Sequence, residues 1–359
     1  MSSAIKGRGA TSNLPGRFET VVRGSVDDDS AEPLVDEAPR PLTQLHVEQA
    51  RTILSRNDSP DLRFSQTLNP YRGCEHGCIY CYARPTHAYV NLSPGLDFET
   101  QLFAKRNAAE LLRKELSRPG YRVTPIQLGA ATDPYQPIER RERITRAVLE
   151  VLLAARHPVT IVTKSALITR DLDLLQALAE QRLVQVFLSI TQLDNGLTRV
   201  LEPRASSPER RLEALAALAR AGVPVSVLVA PIIPFLNDAF LGRVLERAKQ
   251  AGALGAGYTT IRLPWEVRPL FTAWLAHHFP DRAQHVLTRI RDLHGGRDNT
   301  SEFGSRMRGQ GPWSELIRQR FRVACKRLGL LTGEALAARV ALDSTRFDPG
   351  RLAGQARLF

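Results

Sequence analysis

The chain has 359 residues, of which 43% are hydrophobic, so it is long enough to bury a full-sized core. Its formal net charge of +12 indicates a polyanionic partner, most simply a nucleic acid, although a basic solvated surface explains the charge equally well. The longest apolar stretch, 223–235, contains three prolines and is shorter than the roughly 20 apolar residues of a membrane span. The N-terminus has no apolar core of the signal-peptide kind, and we therefore expect a cytoplasmic protein without a membrane partner.

The order of the predicted elements indicates parallel strands. Residues 1–45 are rich in Gly, Ser, Pro and Asp without periodicity, which predicts a disordered N-terminal segment. Short β-branched runs then alternate with helical patterns, as in βαβ units. Strands are predicted at 62–68, 125–130, 159–163, 184–190, 223–230 and 258–263. Helices are predicted at 105–116, 139–155, 171–180, 208–221, 238–249 and 269–277.

A cysteine cluster follows the first predicted strand. Cys74, Cys78 and Cys81 have the spacing C-x3-C-x2-C, and the chain has four cysteines in all. Three thiolates can hold three irons of a [4Fe-4S] cluster and leave the fourth iron open to a ligand. A structural zinc site would need His76 or His87 as a fourth ligand, but the sequence lacks the second closely spaced pair of ligands that such sites usually have. A disulfide would leave one of the three cysteines unpaired. The spacing therefore favours an iron–sulfur cluster.

The segment around these cysteines, NPYRGCEHGCIYCYA over 69–83, resembles the signature of the radical S-adenosylmethionine (SAM) superfamily. Within that superfamily it is similar to the branch around spore photoproduct lyase and its DNA repair photolyase relatives, over about 51–329. The resemblance implies an α/β fold, a partial (β/α)6 TIM-like barrel over 46–280, with its working groups at the C-terminal ends of the strands. It also implies reductive cleavage of SAM to a 5′-deoxyadenosyl radical that abstracts hydrogen, with an electron from a reductase such as flavodoxin or ferredoxin.

The resemblance further implies SAM-binding residues after the later strands. The segment that ends the second strand would receive the SAM amino group, and it comprises Gly129, Ala130, Ala131, Thr132 and Asp133. Small residues permit a close approach, although an ordinary strand-to-helix turn capped by Asp133 is the alternative. Lys164 would reach the SAM carboxylate unless it is a solvent-facing loop lysine. Ser189 would bind the ribose unless it bonds its own backbone.

Two tyrosines flank Cys81 and are the predicted catalytic residues. Tyr80 occupies the aromatic position beside SAM in the superfamily, and Tyr82 resembles a tyrosine that takes part in hydrogen transfer in the lyase. Aromatic packing around the cluster is the alternative for both. The lyase returns a hydrogen atom to its product from a cysteine at the end of the second strand, where this chain has Ala130. The splitting of a thymine dimer is therefore not a firm expectation.

The C-terminal part of the chain is basic. Residues 282–330 contain eleven basic and four acidic residues, which predicts a helical extension over 281–330 with a nucleic-acid surface, Trp313 and Phe303 being possible stacking groups. A solvated amphipathic helix is the alternative, and Cys325 on it is expected to be a buried free thiol. A tail over 331–359 ends in Gln355–Phe359, which resembles the peptide by which bacterial repair proteins bind the DNA sliding clamp.

These observations predict a radical SAM enzyme that acts on a nucleic acid, in DNA repair or base modification. The first alternative is a radical SAM enzyme with a small-molecule or peptide substrate, in which the positive charge is incidental. The second alternative is a non-catalytic, metal-containing module that binds nucleic acid.

Overall fold

The computed structural model of the chain describes residues 5–18 and 41–353. Its strands are β1 Gln44–Val47, β2 Leu54–Arg56, β3 Gln66–Leu68, β4 Tyr71–Arg72, β5 Gln101–Ala104, β6 Ile126–Leu128, β7 Val159–Thr163, β8 Val184–Ser189, β9 Val225–Ile232 and β10 Gly255–Thr260. Its α-helices are α1 Asp97–Thr100, α2 Ala108–Leu116, α3 Glu139–Glu142, α4 Ile144–Ala154, α5 Leu172–Glu180, α6 Asn195–Leu201, α7 Pro208–Arg220, α8 Leu241–Gln250, α9 Val267–His278, α10 Pro280–Leu293, α11 Gly311–Leu328, α12 Gly333–Arg339 and α13 Gly350–Ala353.

The main sheet of the described residues has the strand order β10-β9-β8-β7-β6-β3-β2. Its members from β3 to β10 are parallel, and each pairs with the next in chain order, with helices between them. This is a partial (β/α)6 barrel, and the predicted fold class is confirmed. The hairpin strand β2 runs antiparallel to β3 at one edge. A small sheet of β1, β5 and β4 lies beside the barrel and carries the start of the cysteine segment.

Buried apolar side chains explain why most strands agree with their predicted positions. Strand β7 has the predicted bounds, and its Val159 and Ile161 are fully buried. Strand β10 begins three residues earlier than predicted, because residues 255–257 already pair with β9, and Gly255 also forms a parallel bridge with Leu331. A Cβ at Gly255 would lie 2.6 Å from the Leu331 carbonyl oxygen, so this position requires a residue of weak strand propensity.

The helix predicted over 139–155 is divided into α3 and α4. Arg143 between them has a left-handed backbone, with φ of 54°. The Glu139 carboxylate accepts a hydrogen bond from the Thr145 N–H at 3.1 Å, which caps the first turn of α4. Helical periodicity continues across this break, so the sequence pattern alone did not reveal it.

The prediction of disorder is wrong for residues 5–18, which we call the N-terminal strap. The Glu99 carboxylate accepts hydrogen bonds from the Gly9 and Ala10 N–H groups, at 2.9 and 2.8 Å. Ala10 is fully buried. The strap needs no apolar periodicity, because its backbone is held by a buried carboxylate. Most of the remaining predicted N-terminal segment lies outside the described residues.

The basic extension contains the helices α10 and α11, as predicted, and Cys325 is a buried free thiol. Residues 331–353 of the predicted tail pack against the barrel. The Leu331 N–H donates to the Leu254 carbonyl at 3.0 Å, and Leu352 is buried in the main core. The segment Gln355–Phe359 lies outside the described residues, so clamp binding stays a prediction. Among the described residues, the helices are too short or too polar to cross a membrane.

Candidate active site

Residues 74–81, which we call the cluster loop, are held by backbone hydrogen bonds to distant segments. The Cys74 N–H donates to the Phe98 carbonyl at 2.9 Å, and the Ile79 N–H donates to the Leu201 carbonyl at 3.1 Å. Gly77 has φ of 65°, and a Cβ there would lie 2.7 Å from a Glu99 carboxylate oxygen. A glycine is therefore required at this point of the loop.

The three thiols of the cluster loop lie together against the C-terminal edge of the barrel strands, which we call the mouth. Cys74 and Cys78 are buried, and Cys81 is partly exposed. Burial raises the pKa of the Cys74 thiol, and it raises that of Cys78 to about 12 although the Lys164 ammonium acts in the opposite direction. A buried thiolate needs a strong cation beside it, and iron supplies that charge. The residues present therefore fit an iron–sulfur cluster.

The arrangement does not resemble a single-zinc site. In the part of the chain that the structure describes, no three His, Cys, Asp or Glu side chains converge closely enough to hold one metal ion. His76 Nδ1 lies 3.3 Å from an Asp133 oxygen, and His87 Nε2 lies 2.9 Å from the Gln101 carbonyl. One ring nitrogen of each candidate zinc ligand is thus bonded within the protein. A cube takes each thiolate on a different iron, so its ligands need not converge on one point.

Asp133 connects the cluster loop to two strand ends. One carboxylate oxygen accepts hydrogen bonds from the Thr163 hydroxyl and the Tyr135 N–H, at 2.7 and 2.8 Å. The other accepts from the Lys164 N–H at 2.7 Å. Burial acts to raise the pKa of Asp133, but His76 and these hydrogen bonds outweigh it and lower the pKa to about 2. Asp133 is therefore an ionised group that orients its neighbours, and its own oxygens are already bonded within the protein.

The segment 129–132 lies beside the cluster loop because Asn69 holds it. The Asn69 side-chain oxygen accepts from the Ala131 and Thr132 N–H groups, at 2.9 and 3.3 Å. Gly129 has φ of 87°, and a Cβ there would lie 2.2 Å from the Val162 carbonyl oxygen. Asn69 begins the recognised cysteine signature, which is the sequence signal that would have identified it.

Lys164 and Ser189 both lie at the mouth, as the order of strands requires. The Lys164 ammonium lies 5.8 Å from the centre of the Tyr80 ring. The Ser189 hydroxyl donates to the Ala230 carbonyl at 3.2 Å, which is the backbone bond expected of a buried serine, and its oxygen can still accept. The predicted SAM-binding roles of both residues stay predictions.

Tyr80 belongs to a buried ionic group. The other members of this group were not among the predicted site residues. The Tyr80 hydroxyl donates to the Glu202 carboxylate, which also pairs with the Arg211 guanidinium. All three side chains are almost completely buried. Burial alone would raise the pKa of Glu202, but Arg211, Lys164 and the Tyr80 hydrogen bond lower it below its usual value. This group fixes the Tyr80 ring between the cluster loop and Lys164.

Tyr82 lies at the mouth beside an arginine that sequence reasoning missed. The Tyr82 side chain is 55% exposed, and its hydroxyl donates to the Ala130 carbonyl. The Arg262 guanidinium, just after β10, lies 5.8 Å from the centre of the Tyr82 ring. Arg262 donates to Met307 Sδ at 3.2 Å, its Nε has no partner, and no carboxylate bonds to it within residues 5–18 and 41–353. Burial and the nearby Arg306 lower the pKa of Arg262, whereas Tyr82 and the nearby Asp61 act to raise it. Because the Arg262 Nε–H has no partner, the guanidinium can still bind an anion.

The fold and this site define a partial (β/α)6 barrel with three thiols at its mouth whose surroundings fit an iron–sulfur cluster. The model of the radical SAM superfamily matches residues 68–248. An uncharacterized protein of Mycobacterium tuberculosis (strain ATCC 25618 / H37Rv) is 39% identical over 235 residues, which cover 65% of this chain and 68% of that protein. An uncharacterized protein of Methanocaldococcus jannaschii is 30% identical over 48% of this chain and 61% of that protein. The chain belongs to the radical SAM superfamily.

A solved structure supports the same fold. A spore photoproduct lyase mutant with bound AdoMet and dinucleoside spore photoproduct superposes with a TM-score of 0.55 over 79% of each chain, at 17% identity. At that identity the likeness concerns the fold alone. The members of the superfamily bind a [4Fe-4S] cluster and SAM, and this protein is a radical SAM enzyme.

Proposed function

We propose that the enzyme holds a [4Fe-4S] cluster through Cys74, Cys78 and Cys81 and abstracts hydrogen from a nucleic acid, in DNA repair or base modification. The observation that carries the substrate class is Arg262, a half-buried guanidinium at the mouth without a bonded carboxylate among the described residues. A phosphate would satisfy it. The lyase structure contains a dinucleoside photoproduct, which favours the same class by analogy. A small-molecule or peptide substrate is the alternative outcome of the test.

The cluster, when bound and reduced, supplies the electron that cleaves SAM to the hydrogen-abstracting radical, and we propose a flavodoxin or ferredoxin as the electron donor. Lys164 provides the positive charge for the SAM carboxylate, and Asp133 positions it through its backbone N–H. The segment 129–132 offers small residues and backbone groups to the SAM amino group. Ser189 accepts from a ribose hydroxyl while it donates to Ala230.

The product side of the reaction differs from that of the lyase, because no spare thiol lies at the mouth. The one cysteine outside the cluster loop, Cys325, is buried on α11. Tyr82 instead directs its hydroxyl to the carbonyl of Ala130, the position that corresponds to the lyase cysteine. We therefore assign to Tyr82 the position next to the substrate.

The test is anaerobic reconstitution with iron and sulfide, followed by measurement of 5′-deoxyadenosine with damaged DNA, undamaged DNA, RNA and cell extract. We expect a rise that depends on nucleic acid. Cys78→Ala should lose iron and SAM cleavage together, whereas the matched variant Cys325→Ala should keep both. A single bound zinc would contradict the proposal, and a rise only with the small-molecule fraction of the extract would contradict its substrate class.

A further inference from the structure

Two aromatic residues at the mouth have a backbone conformation that bulky residues rarely adopt. Phe235 follows β9 by three residues and has φ of 60°, and Trp265 follows β10 by five residues and has φ of 45°. A left-handed backbone costs a bulky residue free energy, and such positions concentrate at functional sites. Since β9 and β10 are neighbouring parallel strands, both residues lie at the same edge of the barrel.

Both side chains are exposed to solvent. Trp265 is 67% exposed and Phe235 is 43% exposed, whereas Trp274 is fully buried and Trp313 packs against the main core. Trp313, which was predicted to stack on a base, is therefore partly covered by the core. The Trp265 indole buries little apolar surface, so core packing does not explain why a large aromatic residue stands in this turn.

Arginines hold and surround these two rings. The Arg17 guanidinium of the N-terminal strap lies 4.0 Å from the centre of the Trp265 ring and pairs with Glu266 at 3.0 Å. One face of the indole is thus clamped, and its large exposed fraction leaves the rest accessible. The strap therefore presets the orientation of the ring.

Two arginines of α10 also lie near Phe235. The Arg289 guanidinium lies 5.9 Å from the centre of the Phe235 ring, and Arg282 donates to the Phe235 carbonyl at 3.5 Å. Arg289 pairs with Asp292, but Arg282 has no carboxylate partner in the part of the chain that the structure describes. Phe235 thus combines an aromatic ring with an arginine, Arg282, that lies at its backbone carbonyl and pairs with no carboxylate among the described residues. A ring and a nearby cationic group match the two halves of a nucleotide, its base and its phosphate.

We propose that Phe235 and Trp265 form a stacking platform for unpaired bases, with Arg282 bound to the adjoining phosphate. This inference rests on the proposed nucleic-acid function and narrows the substrate class to single-stranded nucleic acid or a strand with its target nucleotide unstacked. Bases inside a duplex have both faces occupied by their neighbours, so a platform of this kind selects against duplex. The platform lies at the mouth, whereas the basic face of α11 lies on a helix that packs outside the barrel against α8.

The test is the binding of fluorescently labelled oligo(dT) and of a matched duplex to the reconstituted full-length protein, by anisotropy over a range of salt concentrations. We expect tighter binding of the single strand. Phe235→Leu and Trp265→Leu should each lower single-strand affinity about tenfold without changing the salt dependence. Arg282→Ala should instead reduce the salt dependence by about one unit of slope.

Conservative variants distinguish a loss of stacking from misfolding at the two strained turns. Phe235→Tyr and Trp265→Phe keep a stacking ring and should keep single-strand affinity. Phe303 is the other exposed stacking candidate predicted from the sequence, and Arg306 lies 4.6 Å from the centre of its ring. If the platform at the mouth binds the bases, Phe303→Leu should bind as the unchanged protein does, and a loss of affinity in this variant alone would overturn the platform. Equal affinity for single strand and duplex, or unchanged binding by both leucine variants, would overturn the platform alone. Absence of binding to any nucleic acid would overturn the proposed function as well.

Discussion

The two edges of the barrel are built in different ways. At the N-terminal edge, the helices α4, α5, α7 and α8 all end in one left-handed residue before the next strand, and these residues are Arg156, Arg182, Gly222 and Gly252. In each turn the following N–H reaches back across the last helical turn, as from His157 to Leu152 at 2.8 Å and from Val223 to Leu218 at 3.0 Å. One turn motif is thus repeated around this edge.

At the C-terminal edge the loops share no common turn, and several contain buried charges. Glu99 pairs with Arg84, and Glu202 pairs with Arg211, all four side chains being almost completely buried. Burial of an ion pair carries a desolvation cost that an apolar contact does not. The N-terminal edge therefore gains stability from a repeated local motif, whereas the mouth uses buried charges to hold dissimilar loops in one geometry.

The largest expected effect concerns a buried charge at the mouth. Glu202→Ala leaves Arg211 buried without its partner and should lower the free energy of unfolding by about 3–5 kcal/mol. The matched variant is Glu209→Ala, which removes an exposed pair with Arg247 and should cost about 0–1 kcal/mol. Urea unfolding under anaerobic conditions measures both. Equal losses of unfolding free energy in the two variants would show that the buried pair at the mouth contributes no more to stability than an exposed pair does.

A pH effect of intermediate size is expected at the N-terminal edge. His157 is fully buried in one of the repeated turns, and burial lowers its pKa to about 4 from a usual value of 6.5. Between these values the unfolded chain binds a proton that the folded protein refuses, so stability falls as the pH falls below 6.5. By pH 5 this group should cost about 2 kcal/mol relative to pH 8.

His157→Asn tests this assignment, because it removes the titrating group. Between pH 8 and pH 5, the free energy of unfolding of the variant should fall by about 2 kcal/mol less than that of the unchanged protein. Parallel pH profiles of the two proteins would show that His157 is not neutral in the folded state.

The smallest expected effect tests the repeated turn itself. Gly222 has φ of 76° and open space around its Cα, so Gly222→Ala should cost about 1 kcal/mol through backbone strain alone. Gly242 lies within α8 with equally open space, and Gly242→Ala should stabilise the protein by about 0.5–1 kcal/mol. Thermal unfolding compares the two. The same sign for both substitutions would contradict the account of this edge.

Much of the barrel was predictable because its signals are local. Strand β7 has its predicted bounds, since five residues with apolar and β-branched side chains lie between turn residues. The division of α3 from α4 was not predictable, since Glu139, which caps α4, is held in place by the distant Tyr71 and Arg170. The early start of β10 was not predictable either, since it depends on contacts of Gly255 with the distant Ser226 and Leu331. In the active site, the cysteines were recognised by their spacing, while Arg262 was missed as a member of the site.

The alternation of strands and helices and the cysteine spacing can be read from the chain directly, because both are properties of neighbouring residues. Which charges are buried and which are paired follows from the folded arrangement alone. Tyr80 and Glu202 meet although 122 positions separate them, and the Gly9 N–H reaches Glu99 across 90 positions. Such contacts depend on how loops from different strands converge at one edge, and the free energy of a charge depends on that surrounding.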